Sequence, residues 1–159
     1  MSKLYILQKC LRRNEVDMMV DIASSSKTEN VDLGVWKYKS SAIEAPIPEV
    51  LEKYKKLLSV MDANDIQSFK TVKVDFDKDN FIRPSKFSDV DEDAKFIIFT
   101  KVEEAKDTRG GIFRIFSDDG YHGFPIIEKY STICFNANTK IEISRVEEGN
   151  VSFAITYAY

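Results

Sequence analysis

The chain holds a single histidine, His122, and only two cysteines, Cys10 and Cys134. No stretch approaches the apolar length of a membrane span. Each scarcity closes a class. One imidazole cannot build a multi-histidine zinc site. Two cysteines in 159 residues make no disulfide framework. Both are expected as buried free thiols in a reducing compartment. A spanning helix needs about 20 apolar residues, and none is expected here. The opening MSKLYILQKCLRR has neither the long apolar run nor the small-residue cleavage site of a signal peptide, so the expected location is cytoplasmic. The catalytic fingerprints Gly-x-Gly-x-x-Gly, Walker loop, Gly-x-Ser-x-Gly, Cys-x-x-Cys and His-Glu-x-x-His are all missing. No cofactor is expected.

An excess of basic charge is missing too. The chain has 23 Lys and Arg against 26 Asp and Glu, a net charge of −3. Nucleic acid and anionic membranes require a basic face, so neither is an expected partner. What is present is ordinary for a globule: 43% hydrophobic, 31% charged and 12% aromatic residues. A length of 159 residues suits one domain, 1–159.

The pattern along the chain alternates between two periods. From Ile47, the residues Val50, Leu51, Tyr54, Leu57, Leu58 and Met61 recur at helical spacing, and Pro48 sits where a first turn tolerates it. This predicts an amphipathic helix over 47–61. Segment 14–23 fits a helix or a strand. Strands are predicted over 3–11, 31–40, 69–76, 95–102, 112–116 and 126–136. A closing hairpin is predicted from Ile141–Val146 and Val151–Tyr159, turned by Glu147-Glu148-Gly149-Asn150. The expected fold is α+β: an antiparallel sheet of about five to seven strands with one principal helix on one face.

Four constellations carry candidate chemistry. His122 with Cys134 as nucleophile, and Asp118 or Asp119 as orienter, is the reactive reading. The preferred alternative is a surface histidine in a Gly-rich loop and a cysteine buried in a strand. Asp75, Asp77 and Asp79 begin like a calcium loop. Asn80 then stands where glycine is needed and Lys86 where a bidentate glutamate is needed, so no metal is expected. Between Asp75 and Asp93 seven acids face three bases, a local balance of −4. Its densest part is Asp89, Asp91, Glu92 and Asp93, which reads as a solvated loop or as a docking face. Asp118, Asp119 and Tyr121 mix charge with an aromatic, as binding loops do.

From these absences and this acidic surface, the expected function is a non-catalytic one: a bacterial immunity (antitoxin) protein neutralising a basic toxin domain, such as a nuclease. The expected contacts are Asp89, Asp91, Glu92, Asp93, Asp118, Asp119 and Tyr121. Two alternatives stay open. One is a small enzyme using His122 with Cys134 or Asp118. The other is an assembly subunit pairing through its last strand, sealed by Tyr157 and Tyr159. The sequence leaves monomer and homodimer open.

Overall fold

Alternation of apolar residues sets most of the architecture. The computed structural model describes residues 4–44, 47–117, 120, 122–123 and 128–159, with residue 122 described by its backbone. Among them are β1 (Tyr5–Gln8), β2 (Thr28–Asp32), β3 (Trp36–Ala42), β4 (Phe69–Phe76), β5 (Phe81–Ser85) and β6 (Phe96–Glu104). The chain continues with β7 (Phe113–Phe116), β8 (His122–Gly123), β9 (Thr132–Asn136), β10 (Ile141–Ile143) and β11 (Val151–Ala158). The helices are α1 (Arg13–Ser24) and α2 (Pro48–Val60), and a 3-10 turn spans Phe87–Asp89.

The strands are hydrogen-bonded in the order β1-β9-β6-β11-β4-β3-β5-β10-β7-β8, with β2 on β3. All pairings are antiparallel. The path folds over at β3. That strand pairs with β4 through Lys39–Ala42 and with β5 through Trp36 and Lys37. From β4 onward the chain passes back and forth between two sheets, β9-β6-β11-β4 and β5-β10-β7-β8, which is a jelly-roll arrangement. Between the sheets lies one apolar core, with Phe99 and Phe153 from the first meeting Ile82, Phe113 and Ile141 from the second.

Both helices cover the other face of the first sheet. Val16, Met19 and Ala23 of α1 join Val50, Tyr54, Leu57 and Leu58 of α2 over Ile98, Cys134, Ala154 and Ala158. Segment 14–23 is therefore helical. The Glu15 carboxylate accepts the Arg12 N–H at 2.7 Å, closing the first turn. The same carboxylate takes the Lys53 ammonium, which ties α1 to α2. No helix among the described residues is long and apolar enough to cross a membrane.

The expected α+β layout, with one helix on a sheet of about five to seven strands, is corrected on three counts. The molecule is mostly β, its eleven described strands form two facing sheets, and two α-helices cover it. The extra strands escaped the sequence pattern for physical reasons. β2 is Thr-Glu-Asn-Val-Asp with four exposed positions, so it shows no apolar alternation. β5 contains Pro84 and is only five residues long.

The closing hairpin is also corrected. β10 pairs with β5 and β7, whereas β11 pairs with β6 and β4. The residues between them carry the chain from one sheet to the other. Gly149 makes that crossing close: its φ is +82°, and a Cβ there would stand 2.4 Å from Thr108 Oγ1. β11 is not half-buried either. All eight of its residues are buried, with Val151, Phe153, Ile155 and Tyr157 toward the sheet–sheet core. Ser152, Ala154, Thr156 and Ala158 are small, which lets the helices approach. Flanked along its whole length by β4 and β6, β11 presents no edge to a second subunit.

Candidate functional site

The structure separates the residues that the sequence brought together as a catalytic pair. Cys134 lies on β9 with its side chain in the helix-covered core, fully buried. β8, which carries His122, ends the strand order on the second sheet. Burial pushes the Cys134 thiol up to about 12, with Cys10 nearby adding to the effect. It is no nucleophile at neutral pH. In native protein, Cys134 is expected to react with a thiol reagent only as fast as the chain opens, while the partly exposed Cys10 reacts first. Mass spectrometry of alkylated peptides checks this. Prompt labelling of Cys134 would reinstate it.

The acidic run divides. An oxygen of Asp89 accepts the Lys86 N–H at 3.3 Å and closes the 3-10 turn. Asp91 accepts the Tyr159 hydroxyl at 2.6 Å and so pins the last residue. Burial first, and then the Asp91 carboxylate, hold the Tyr159 hydroxyl well above its ordinary pKa. Glu92 and Asp93 face solvent. Asp118, Asp119 and Tyr121 lie outside the described residues. The calcium-like aspartates are spent on local cations: Asp75 on Lys73, Asp77 on Lys39 and Asp79 on Arg145. Among the described residues, no three His, Cys, Asp or Glu side chains converge to hold a metal ion.

The space between the sheets is closed by interlocked rings. Phe87, delivered by the 3-10 turn after β5, sits at their centre. Its ring lies 4.7 Å from Trp36, 5.5 Å from Phe99, 5.7 Å from Tyr157 and 6.3 Å from Phe135. Phe113 and Phe153 continue the contact from Phe99. The polar atoms there are few. Trp36 Nε1 donates to Ser85 Oγ at 2.7 Å, and burial pushes the Tyr38 hydroxyl up to about 12.

Two of the cavities among the described residues lie outside this core. The larger, about 710 Å³, runs between α2 and the β3–β4 edge. Its walls include Met19, Ile43, Val50 and Phe69, and its charged groups, Glu44, Lys55 and Lys70, are exposed. It assembles no chemistry. The smaller, about 350 Å³, lies at one end of the second sheet. Pro84 and Lys86 reach it from the end of β5, Phe116, Ser117 and Gly120 from the end of β7, and Asn138 and Lys140 from the turn before β10.

Local geometry explains why these groups meet. Ile115 and Ile141 pair across β7 and β10 and point into the core. Their neighbours Phe116 and Lys140 therefore fall on the outer face, with the Phe116 N–H donating to the Lys140 carbonyl at 3.0 Å. Ser85 turns inward to Trp36, so Pro84 and Lys86 on either side of it turn outward. The Asn136 side chain accepts the Asn138 N–H at 2.8 Å and tightens the β9–β10 turn. β8 borders this cleft: His122 is the register partner of Phe116. No short motif announced these residues. They come from strand ends far apart in sequence, and the one available sign was Lys86, a cation where the calcium pattern wants an acid.

No protein-family profile matches the chain, and no curated protein matches it. Solved structures do. An oxidoreductase of the 2OG-Fe(II) oxygenase family from Burkholderia pseudomallei superposes with a TM-score of 0.78 at 11% identity, covering 98% of this chain and 84% of that one. A Pseudomonas putida prolyl-4-hydroxylase gives 0.78 at 12% identity, covering 98% and 92%. A non-heme α-ketoglutarate-dependent epimerase from nogalamycin biosynthesis gives 0.70 at 7% identity, covering 96% and 77%. These likenesses overturn the expectation of a non-catalytic immunity protein, since the architecture is one on which enzymes are built. At such identities they establish the fold: this chain has the jelly roll of the 2OG-Fe(II) oxygenases.

Proposed function

We propose that this chain is an enzyme that holds a small molecule in the Lys86–Lys140 cleft and moves a proton on it through His122, without a two-histidine iron centre. The observation that carries this reading is the cleft itself: its border is the strand bearing the chain's one imidazole. Support also comes from the fold, whose solved examples include an oxygenase, a hydroxylase and an epimerase.

Iron in non-heme oxygenases is held by two histidines and a carboxylate on one face. This chain has one histidine. The space between its sheets is lined by rings and aliphatic side chains, and the cleft is lined by two ammonium groups, which offer a cation no lone pair. The residues present do not fit that centre, and no step is derived through it.

What they do fit is proton transfer. Imidazole is the side chain whose ordinary pKa, about 6.5, lets it accept and return a proton near neutrality. Lysine ammonium groups fix and orient a negatively charged substrate in the cleft. The substrate class is then a small acid with an exchangeable proton.

The test uses the whole chain in D2O with an extract of small metabolites, followed by mass spectrometry. One component is expected to gain deuterium without added Fe(II) or 2-oxoglutarate. His122→Gln is expected to slow that exchange by about 10²–10⁴-fold. The proposal fails if no component exchanges, if His122→Gln exchanges as fast as the parent, or if turnover appears only when iron and 2-oxoglutarate are supplied together.

A further inference from the structure

We propose that the cleft at the end of the second sheet is an anion site, taking a small doubly charged ligand between Lys86 and Lys140. The inference rests on the cleft of the proposed function and specifies what binds there. Lys86 and Lys140 belong to different strand ends and line one cavity of about 350 Å³. That lies at the low end of small-molecule pockets, roughly 300–1,000 Å³, and suits a phosphate monoester or a short dicarboxylate.

The lining contains no carboxylate among the described residues. Elsewhere half of the described lysines are matched: Lys9, Lys39, Lys53, Lys55, Lys73, Lys95 and Lys101 each meet an Asp or Glu. Lys86 and Lys140 meet none among the described residues. The acid nearest to Lys86 in the chain, Asp89, is engaged by the Lys86 backbone N–H. Two cations converging on one concavity, in a chain of net charge −3, raise the local concentration of anions. Asn138, on the same wall, adds an amide donor.

Half-burial of Lys86 strengthens its charge–charge contact relative to open water, whereas Lys140 is exposed and salt-screened. Affinity is therefore expected to fall with ionic strength. A dianion, able to meet both ammonium groups, binds more tightly than a monoanion.

The experiment is a titration of the isotopically labelled full chain by amide NMR, with inorganic phosphate in one arm, malonate in the second and chloride at equal ionic strength in the third. Saturable shifts are expected at Gly120, Asn138 and Lys140 with phosphate or malonate. The arm that binds more tightly tells phosphate esters from dicarboxylates. Lys86→Met and Lys140→Met are each expected to weaken binding about tenfold or more, with Lys→Arg at either position retaining it. Lys55→Met, in the other cavity, is expected to change nothing. Linear shifts that chloride reproduces, or unchanged affinity in both Met variants, would overturn the anion site.

The two proposals fail separately. Deuterium exchange that persists where neither anion binds removes the anion site and leaves the enzyme. Saturable anion binding in a chain that exchanges nothing removes the enzyme and leaves the anion site.

Discussion

Phe87→Ala is expected to destabilise the chain by about 3–5 kcal/mol and to lower Tm by about 10 °C or more. Phe87 is fully buried and touches four other rings. It reaches that position from a three-residue 3-10 turn whose neighbours are already fixed. The Ser88 N–H donates to the Ala137 carbonyl at 3.1 Å, and the Lys86 N–H meets Asp89. The turn cannot settle inward to refill the space, because Trp36 is held by Ser85 and the other rings sit on paired strands.

The void is expected to stay dry, as apolar cavities of this kind do. Benzene added to the variant should therefore recover part of the lost Tm, while leaving the parent chain unchanged. Equal thermal stability in parent and variant would mean that the rings do not close the interior.

Lys53→Met is expected to cost about 2 kcal/mol at neutral pH. That is less than the roughly 3–5 kcal/mol of a fully buried broken pair, because the Lys53 side chain is 27% exposed while that of Glu15 is 8% exposed. Desolvation pushes the Glu15 carboxyl up, but the Lys53 ammonium and the Arg12 N–H pull harder, so its pKa lies below the ordinary carboxylate value. Such a group stabilises the fold at pH above the unfolded carboxyl pKa, about 4.3. The contribution drains away as pH falls through the lower, folded value.

In the variant the carboxylate keeps only its backbone donor. The gap between parent and variant urea midpoints should thus be widest near pH 7 and close toward about pH 3. A gap of equal size at both pH values would assign the loss to the lysine stem packing on α1 instead of to its charge.

These expectations divide according to what local pattern can encode. The apolar stripe of 47–61 determined α2, with Pro48 at its start, because helical spacing is a property of neighbours along one chain. Alternation likewise determined β4 and β11 as strands, and the short continuous apolar run Phe96-Ile97-Ile98-Phe99 determined β6. A single histidine cannot supply both imidazoles of a two-histidine metal centre, and the burial of Cys134 followed from its apolar neighbours.

Partnership between strands was a different matter. Ile141–Ile143 and Val151–Ala158 look like the arms of a hairpin, yet they lie in different sheets. A strand's own residues record which face is apolar and say nothing about which backbone it pairs with. Ser152, Ala154, Thr156 and Ala158 read as a wet face because smallness and polarity look alike in a list of residues. Only the presence of α1 and α2 shows that small size was what mattered. The same reason hid the cleft. Lys86, Asn138 and Lys140 carry no common spacing, and they converge because two sheets close over a plug of aromatic rings, a contact that no stretch of the chain contains within itself.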